Sequence, residues 1–225
     1  MSIISLLQLG GRRAADFALR PSLSMDENWK RKILPPMFQA NEVSMRAHRF
    51  VSRHIASQRA LVAAPSDAGT DRLVWAIVLL EPCRLDAFLL HFGALFAAQE
   101  VRQVIGKKEV DAYKQVLGDA LYWFMLHRAP LLGAAALAEP RRHGPDQIMA
   151  AIRGAGYAAL SQLCGQHEAG LWDRVQLMLP DVAQAEASAY STIPEAPTLR
   201  RMAAKLLREL ETTWASRFLA DNRSV

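Results

Sequence analysis

"RLDAFLLHFGALFAAQEVRQVI", residues 84–105, is an almost unbroken apolar run with one histidine near its middle. How this run folds decides the fold. At about 100° per residue, Leu85, Phe88, Leu89, Phe92, Leu95 and Phe96 share one helical face, and Leu90, Val101 and Ile105 cover much of the other. Only a narrow strip is polar: Arg84, His91 and Arg102, with Ala98 between them. A helix apolar nearly all round belongs at the centre of a protein. Gly93 inside it costs about 1 kcal/mol relative to alanine, and a close approach of a second helix there would offset that cost.

Outward from this run, breakers cut the chain into helix-length pieces. The pattern predicts a first helix over Ile3 to Leu19, weakened at Gly10-Gly11. A short helix from Ser24 or Asp26 to Leu34 follows, stopped by Pro35-Pro36. Asn41 is placed to cap "EVSMRAHRFVSRHIASQRAL", and "VAAPSDAGTD" reads as a loop. "RLVWAIVLL" has strand-like residues, but no second run of similar strength exists to pair with it, so helix is the better reading. Gly106 ends the central helix, and "KKEVDAYKQVLGDALYWFMLHRA" follows as its antiparallel partner because the connection is so short. Pro145 opens a helix to about Cys164, a short one spans Ala169 to Leu179, and Thr198 caps a last helix running to about Leu219. The expectation is an all-α protein: a compact bundle of about seven to nine helices around a central apolar one. It reads as one helical domain over residues 1–225, with residues 1–22 peripheral and linkers at about 132–145 and 180–197.

Composition agrees. The chain has 225 residues, 51% of them hydrophobic, enough for a sizeable core. Cys83 and Cys164 form no C-x-x-C pair and read as idle thiols of a reducing compartment. The N-terminus lacks a signal-peptide pattern, and no segment reaches the roughly 20 charge-free residues of a membrane span. A cytoplasmic protein is expected.

No chemistry announces itself. His91 has no Ser, Cys or carboxylate at a spacing that would place a triad, so it reads as a scaffold residue. The other histidines form no zinc spacing. "GKKE" at Gly106 has no preceding strand and no second glycine, which makes it a helix stop and not a phosphate cradle. "YWFMLH", Tyr122 to His127, has the spacing of core aromatics. No catalytic, cofactor-binding or metal-binding residue is assigned, and no cofactor.

The net charge of +5 permits an acidic partner. Arg46, Arg49 and Arg53 recur at i, i+3 and i+7 as one stripe of a helix, with Val43, Phe50 and Val51 left for the core. The last helix repeats the design: Leu199, Ala203, Leu206, Leu210 and Trp214 face inward, while Arg201, Lys205 and Arg208 face out. Such stripes are docking faces for acidic partners or phosphates, or simply solvated faces. Without helix-turn-helix spacing, nucleic acid is the lesser reading, as a helical regulator using the arginine face.

Three stretches in order resemble one family. "NWKRKILPP", with Trp29, Ile33, Leu34 and Pro35, resembles the N-terminal W-x-x-I-L-P signature of the SctK family, the YscK/PscK-like accessory subunits of type III secretion systems. "LLHFGALFAAQEVR" resembles its central helix through Leu90, Gly93, Val101 and Arg102. "GLWDRVQLMLP" resembles its closing element through Trp172, Arg174, Val175, Leu177, Leu179 and Pro180. The resemblance covers most of residues 20 to 219, and the arginine- and alanine-rich character suits the NolU-like nodulation branch. The chain departs from the pattern in its longer N-terminus, in Val175 where leucine is usual, and in its strongly basic second helix.

The resemblance implies a non-enzymatic helical adaptor of the cytoplasmic sorting platform. Such a protein joins the cytosolic domain of the inner-membrane ring protein SctD to SctQ and SctL, and so to the ATPase SctN. It would meet the membrane only through SctD and be a monomer when isolated. The family offers no catalytic residue to carry over; Trp29, Pro35, Gly93, Trp172 and Pro180 are expected to be structural.

Overall fold

The computed structural model describes residues 3–38, 44–58, 71–133, 143–165, 170–180 and 193–219. Most of the two expected linkers lies outside these residues, as do most of the expected loop over 62–71, Asn41 and Val43. All regular structure among the described residues is helical, and the chain's contacts group it into two compact units. The first comprises Met1–Leu85, Leu163–Val182 and Thr213–Val225, and the second Asp86–Gln162 and Ala183–Thr212.

The first unit begins with α1 (Ile3–Leu19), which bends at Gly11, where φ is 57°. The weak point expected at Gly10-Gly11 is therefore a kink that only glycine takes without strain. After α2 (Pro21–Ser24), α3 (Glu27–Ile33) is capped by Asp26, whose side chain accepts from the Asn28 N–H at 2.9 Å. A short 3-10 turn, Pro36–Phe38, follows the stop at Pro35. Next, α4 (Met45–Gln58) starts on Ser44, whose Oγ accepts from the Ala47 N–H at 3.3 Å.

The ambiguous "RLVWAIVLL" is α5 (Arg72–Val78), with the Asp71 side chain capping Leu73 N–H at 3.0 Å. Leu73 through Leu80 are all buried, so α5 is this unit's innermost helix. Met25, Trp29, Leu34, Val51, Ile55 and Leu177 form a second apolar cluster beside it. The segment after α9, α10 (Leu171–Gln176), ties these pieces together. Arg174 is buried, and its guanidinium donates to the Phe17 and Ala18 carbonyls at 3.0 and 2.9 Å, satisfying acceptors at the C-terminal end of α1. Leu177 C=O accepts from the Asp26 N–H at 2.8 Å, fixing the entry to α3. The closing motif thus holds the start of the first unit in place by two backbone anchors.

The second unit is built on α6 (Pro82–Arg102) from Asp86 onward; along the helix Leu85, Phe88, Leu89, Phe92 and Leu95 are buried as the wheel requires. The polar strip is not continuous, because Ala98 is buried as well. The helix also stops at Arg102, short of the expected end, and Ile105 is 92% exposed instead of covering a face. Gly106 holds the cap position of the next helix, α7 (Lys107–Trp123), so four residues, 103–106, separate the two. Glu100 meets Tyr113, and His91 meets Phe124 further on, which makes the pairing of α6 and α7 antiparallel.

A π-turn, Phe124–Arg128, and α8 (Ala129–Leu132) prolong α7. Tyr122, Phe124 and Met125 are core as expected, but Trp123 is half exposed and stacks on the exposed His127 at 4.9 Å. Trp123 lies about 200° around α7 from the buried Leu121, which turns it away from the core.

The next helix, α9 (Pro145–Gly165), crosses α6 closely. A methyl group added at Gly93 would lie 1.8 Å from the Ile152 carbonyl oxygen, and one at Gly156 would lie 2.4 Å from that of Leu89. The two glycines let the backbones touch, which is the compensation the sequence asks for at Gly93.

The expected last helix is two. Its first part, α11 (Ala196–Leu210), starts before Thr198, with Pro197 in the first turn and Glu195 at the cap position. The chain breaks at Glu211, at φ −135° and ψ 52°, and α12 (Thr212–Leu219) belongs to the first unit. There the Trp214 Nε1–H donates to the Ala76 carbonyl at 2.8 Å, and Phe218 is buried.

Candidate functional site

Among the described residues two polar clusters lie inside the units, and each is used up by structure. In the second unit Glu100 is buried beneath the start of α9. Its Oε1 accepts from the Tyr113 hydroxyl at 2.8 Å, the His143 N–H at 2.8 Å and the Gly144 N–H at 3.0 Å; Oε2 lies 2.9 Å from His143 Nδ1. A carboxylate from α6 thereby caps a helix more than forty residues further along the chain.

In the first unit Ser22, His48 and Ser52 converge. Ser22 Oγ is 3.0 Å from His48 Nδ1 and 2.8 Å from Ser52 Oγ. A serine against an imidazole has the contact of a nucleophile and its base. Here Ser22 is 1% exposed and its oxygen is already shared among three partners, so no substrate reaches it. The cluster joins α2 to α4.

Burial, with smaller contributions from Lys30 and Arg20, holds the His48 pKa below the ordinary 6.5. The folded protein therefore prefers the neutral ring, and the unfolded chain takes the proton first. Stability from this residue is complete above pH 6.5 and is lost as pH falls through that value toward the folded one. The melting temperature is expected to drop more between about pH 7 and about pH 5 in the wild type than in His48→Gln. Parallel pH curves would remove His48 from the acid response.

His91, too, is held by the scaffold. Its Nδ1 lies 2.8 Å from the Ala87 carbonyl one turn back, and its ring meets Phe124 edge-on at 4.7 Å. Cys164 is fully buried and its thiol pKa is raised by that burial, while Cys83 is exposed. Among the described residues no group of His, Cys, Asp and Glu could hold a metal ion, and no helix is long and apolar enough to cross a membrane.

The outer faces offer more. Arg46, Arg49 and Arg53 are all exposed along α4 and form no ion pair among the described residues. Arg201, Lys205 and Arg208 are exposed along α11, in the other unit. Of the residues expected to be structural, Trp29 and Gly93 are buried, Trp172 and Pro180 are half-buried, and Pro35 is exposed.

The expected core role of Phe50 is overturned: it is 63% exposed. Position decides this, because residue 50 follows Arg46 by four and precedes Arg53 by three, which puts its side chain on the arginine face. Val51, one residue on, is the core member. Beside Phe50 opens a cleft of about 270 Å³ lined by Leu34, Pro35, Phe38, Phe50, Val51 and His54. The sequence signal for this site was present in the i, i+4 spacing of Arg46 and Phe50.

A family model described as YOP proteins translocation protein K (YscK) matches residues 26–218. No curated protein and no solved structure matches the chain.

Proposed function

This chain belongs to the YscK family of type III secretion proteins, and from that premise we propose that it is a non-enzymatic adaptor of the cytoplasmic sorting platform. In this reading it links the cytosolic domain of SctD to SctQ and SctL, and through them to SctN, and it needs no cofactor. It is a monomer when isolated, a single working body over residues 1–225, and it reaches the membrane only through SctD.

The observation that carries the reading is the exposed row Arg46, Arg49 and Arg53 on a helix whose other side is anchored in the core by Val51 and Ile55. A helix presenting cations that no carboxylate among the described residues neutralises is suited to an acidic protein surface. Exposed charges act mainly through steering and register, and they weaken as salt rises. Arg201, Lys205 and Arg208 on α11 supply a second face of the same kind, which suits a linker with more than one partner.

Reversing Arg46, Arg49 and Arg53 to glutamate should leave the melting temperature nearly unchanged, since all three are exposed and none is paired among the described residues. The same change should abolish co-purification with SctD or SctQ from cells carrying the secretion system. Wild-type binding should also fall between low and physiological salt. A triple variant that retains both partners with salt-independent affinity moves the docking face to α11. A wild-type chain that shifts nonspecific DNA at physiological salt, and captures no platform component, would replace the adaptor with a nucleic-acid-binding regulator.

A further inference from the structure

The notch beside Phe50 is not accounted for by a row of charges. Its floor is the end of the tryptophan-containing motif, Leu34 and Pro35, and its walls are Phe38, Val51, His54 and the exposed ring of Phe50. Arg46, Arg49 and Arg53 stand along the same helix, with Phe50 between the first and last of them. We propose that this notch is the anchor point for a partner protein's acidic segment, which inserts one large apolar side chain while its carboxylates meet the three guanidinium groups. The inference rests on the adaptor reading and supplies the chemistry of the segment that docks.

Three features support it. Aromatic rings and arginines set close together are the composition of binding hot spots. The cleft, at about 270 Å³, is slightly below the roughly 300–1,000 Å³ of small-molecule sites, a size fitted to one or two side chains. Its lining is apolar apart from the His54 ring, so the polar edges of a nucleotide base would lose water there without gaining partners. The charge row selects an acidic partner, and the notch fixes which residue of that partner sits where.

Fluorescence anisotropy of the full chain with defined probes tests this without any secretion protein. The probes are a short glutamate- and alanine-rich peptide carrying one phenylalanine, the same peptide with serine in its place, and a single-stranded RNA of matching length. The phenylalanine peptide should bind the wild type about tenfold more tightly than the serine peptide. Phe50→Ser, a change at an exposed position, should erase that preference while keeping the salt dependence. Reversal of Arg46, Arg49 and Arg53 should abolish binding of both peptides.

Equal binding of the two peptides to the wild type, or RNA displacing the phenylalanine peptide at physiological salt, overturns the proposal. If the peptides discriminate as expected and no platform component co-purifies, the anchor stands and the adaptor assignment fails. The opposite pair of results keeps the adaptor and removes the anchor.

Discussion

Gly93→Leu is expected to destabilise the protein by about 3 kcal/mol, at the upper end of the range for overpacking. Even the first carbon of the new side chain would stand 1.8 Å from the Ile152 carbonyl oxygen and 2.9 Å from the Gly156 nitrogen. Backbone atoms cannot rotate aside as a flexible side chain does, so α6 and α9 must separate along their crossing. With total stability of roughly 5–15 kcal/mol and about 2–4 °C per kcal/mol for a chain of this size, the melting temperature should fall by roughly 6–12 °C. Gly156→Ala should also destabilise, because its methyl would meet the Leu89 carbonyl at 2.4 Å. Gly165→Ala, where the added carbon meets nothing within 4 Å, is the control and should melt like the wild type. Normal melting of Gly93→Leu would show that the two helices do not cross there.

Glu100→Ala is expected to cost a similar amount, about 3 kcal/mol, for a different reason. The substitution removes the acceptor that the His143 and Gly144 N–H groups share with the Tyr113 hydroxyl, and leaves those two half-buried backbone donors unmet. Unsatisfied donors cost more than a hydrogen bond contributes. Glu100→Gln keeps an oxygen for these three donors, and its amide can face a His143 Nδ1 that has lost its proton. It should recover more than half of the loss. Urea unfolding of the three proteins measures the difference, and hydrogen exchange at the first turn of α9 locates it. Equal losses in the alanine and glutamine variants would mean that charge, and not acceptor geometry, holds the cap.

Much of the fold was legible because the long helices carry both periodicity and punctuation. Pro145 opens α9 where the sequence places it, Asp26 caps α3, and "RLVWAIVLL" is helical in the absence of a partner strand. The errors have physical causes. The last helix reads as continuous because both its parts share one apolar period, and nothing local marks the break at Glu211. Trp123 follows the buried Leu121 by two residues, about 200° around α7, so ordinary helical spacing turns it outward although the run reads as uniformly aromatic. Glu100 looks like one more surface charge until His143 and Gly144, distant in sequence, are brought to it.

At the candidate site the arginine stripe was readable from spacing alone, and the notch was not. Its floor comes from residues 34–38 and its wall from α4, a pairing that no periodicity within one helix encodes. Phe50 shows the opposite failure. Its spacing places it on the face of Arg46 and Arg53, although its hydrophobicity alone argues for the core.

The interleaving of the two units along the chain also orders events during synthesis. Chains emerging from a ribosome usually complete their N-terminal part first. Here the second unit has all its segments by Thr212, while the first still lacks the segment that begins at Thr213. Until Trp214 reaches the Ala76 carbonyl and Phe218 its buried site, the earliest-made helices must wait with α5 uncovered on that side. Chains truncated after Thr212 and released from the ribosome should therefore show protease-resistant fragments from the second unit and sensitive ones from the first. The N-terminal half of this protein is made early and finished last, which gives a holdase chaperone its longest opportunity there.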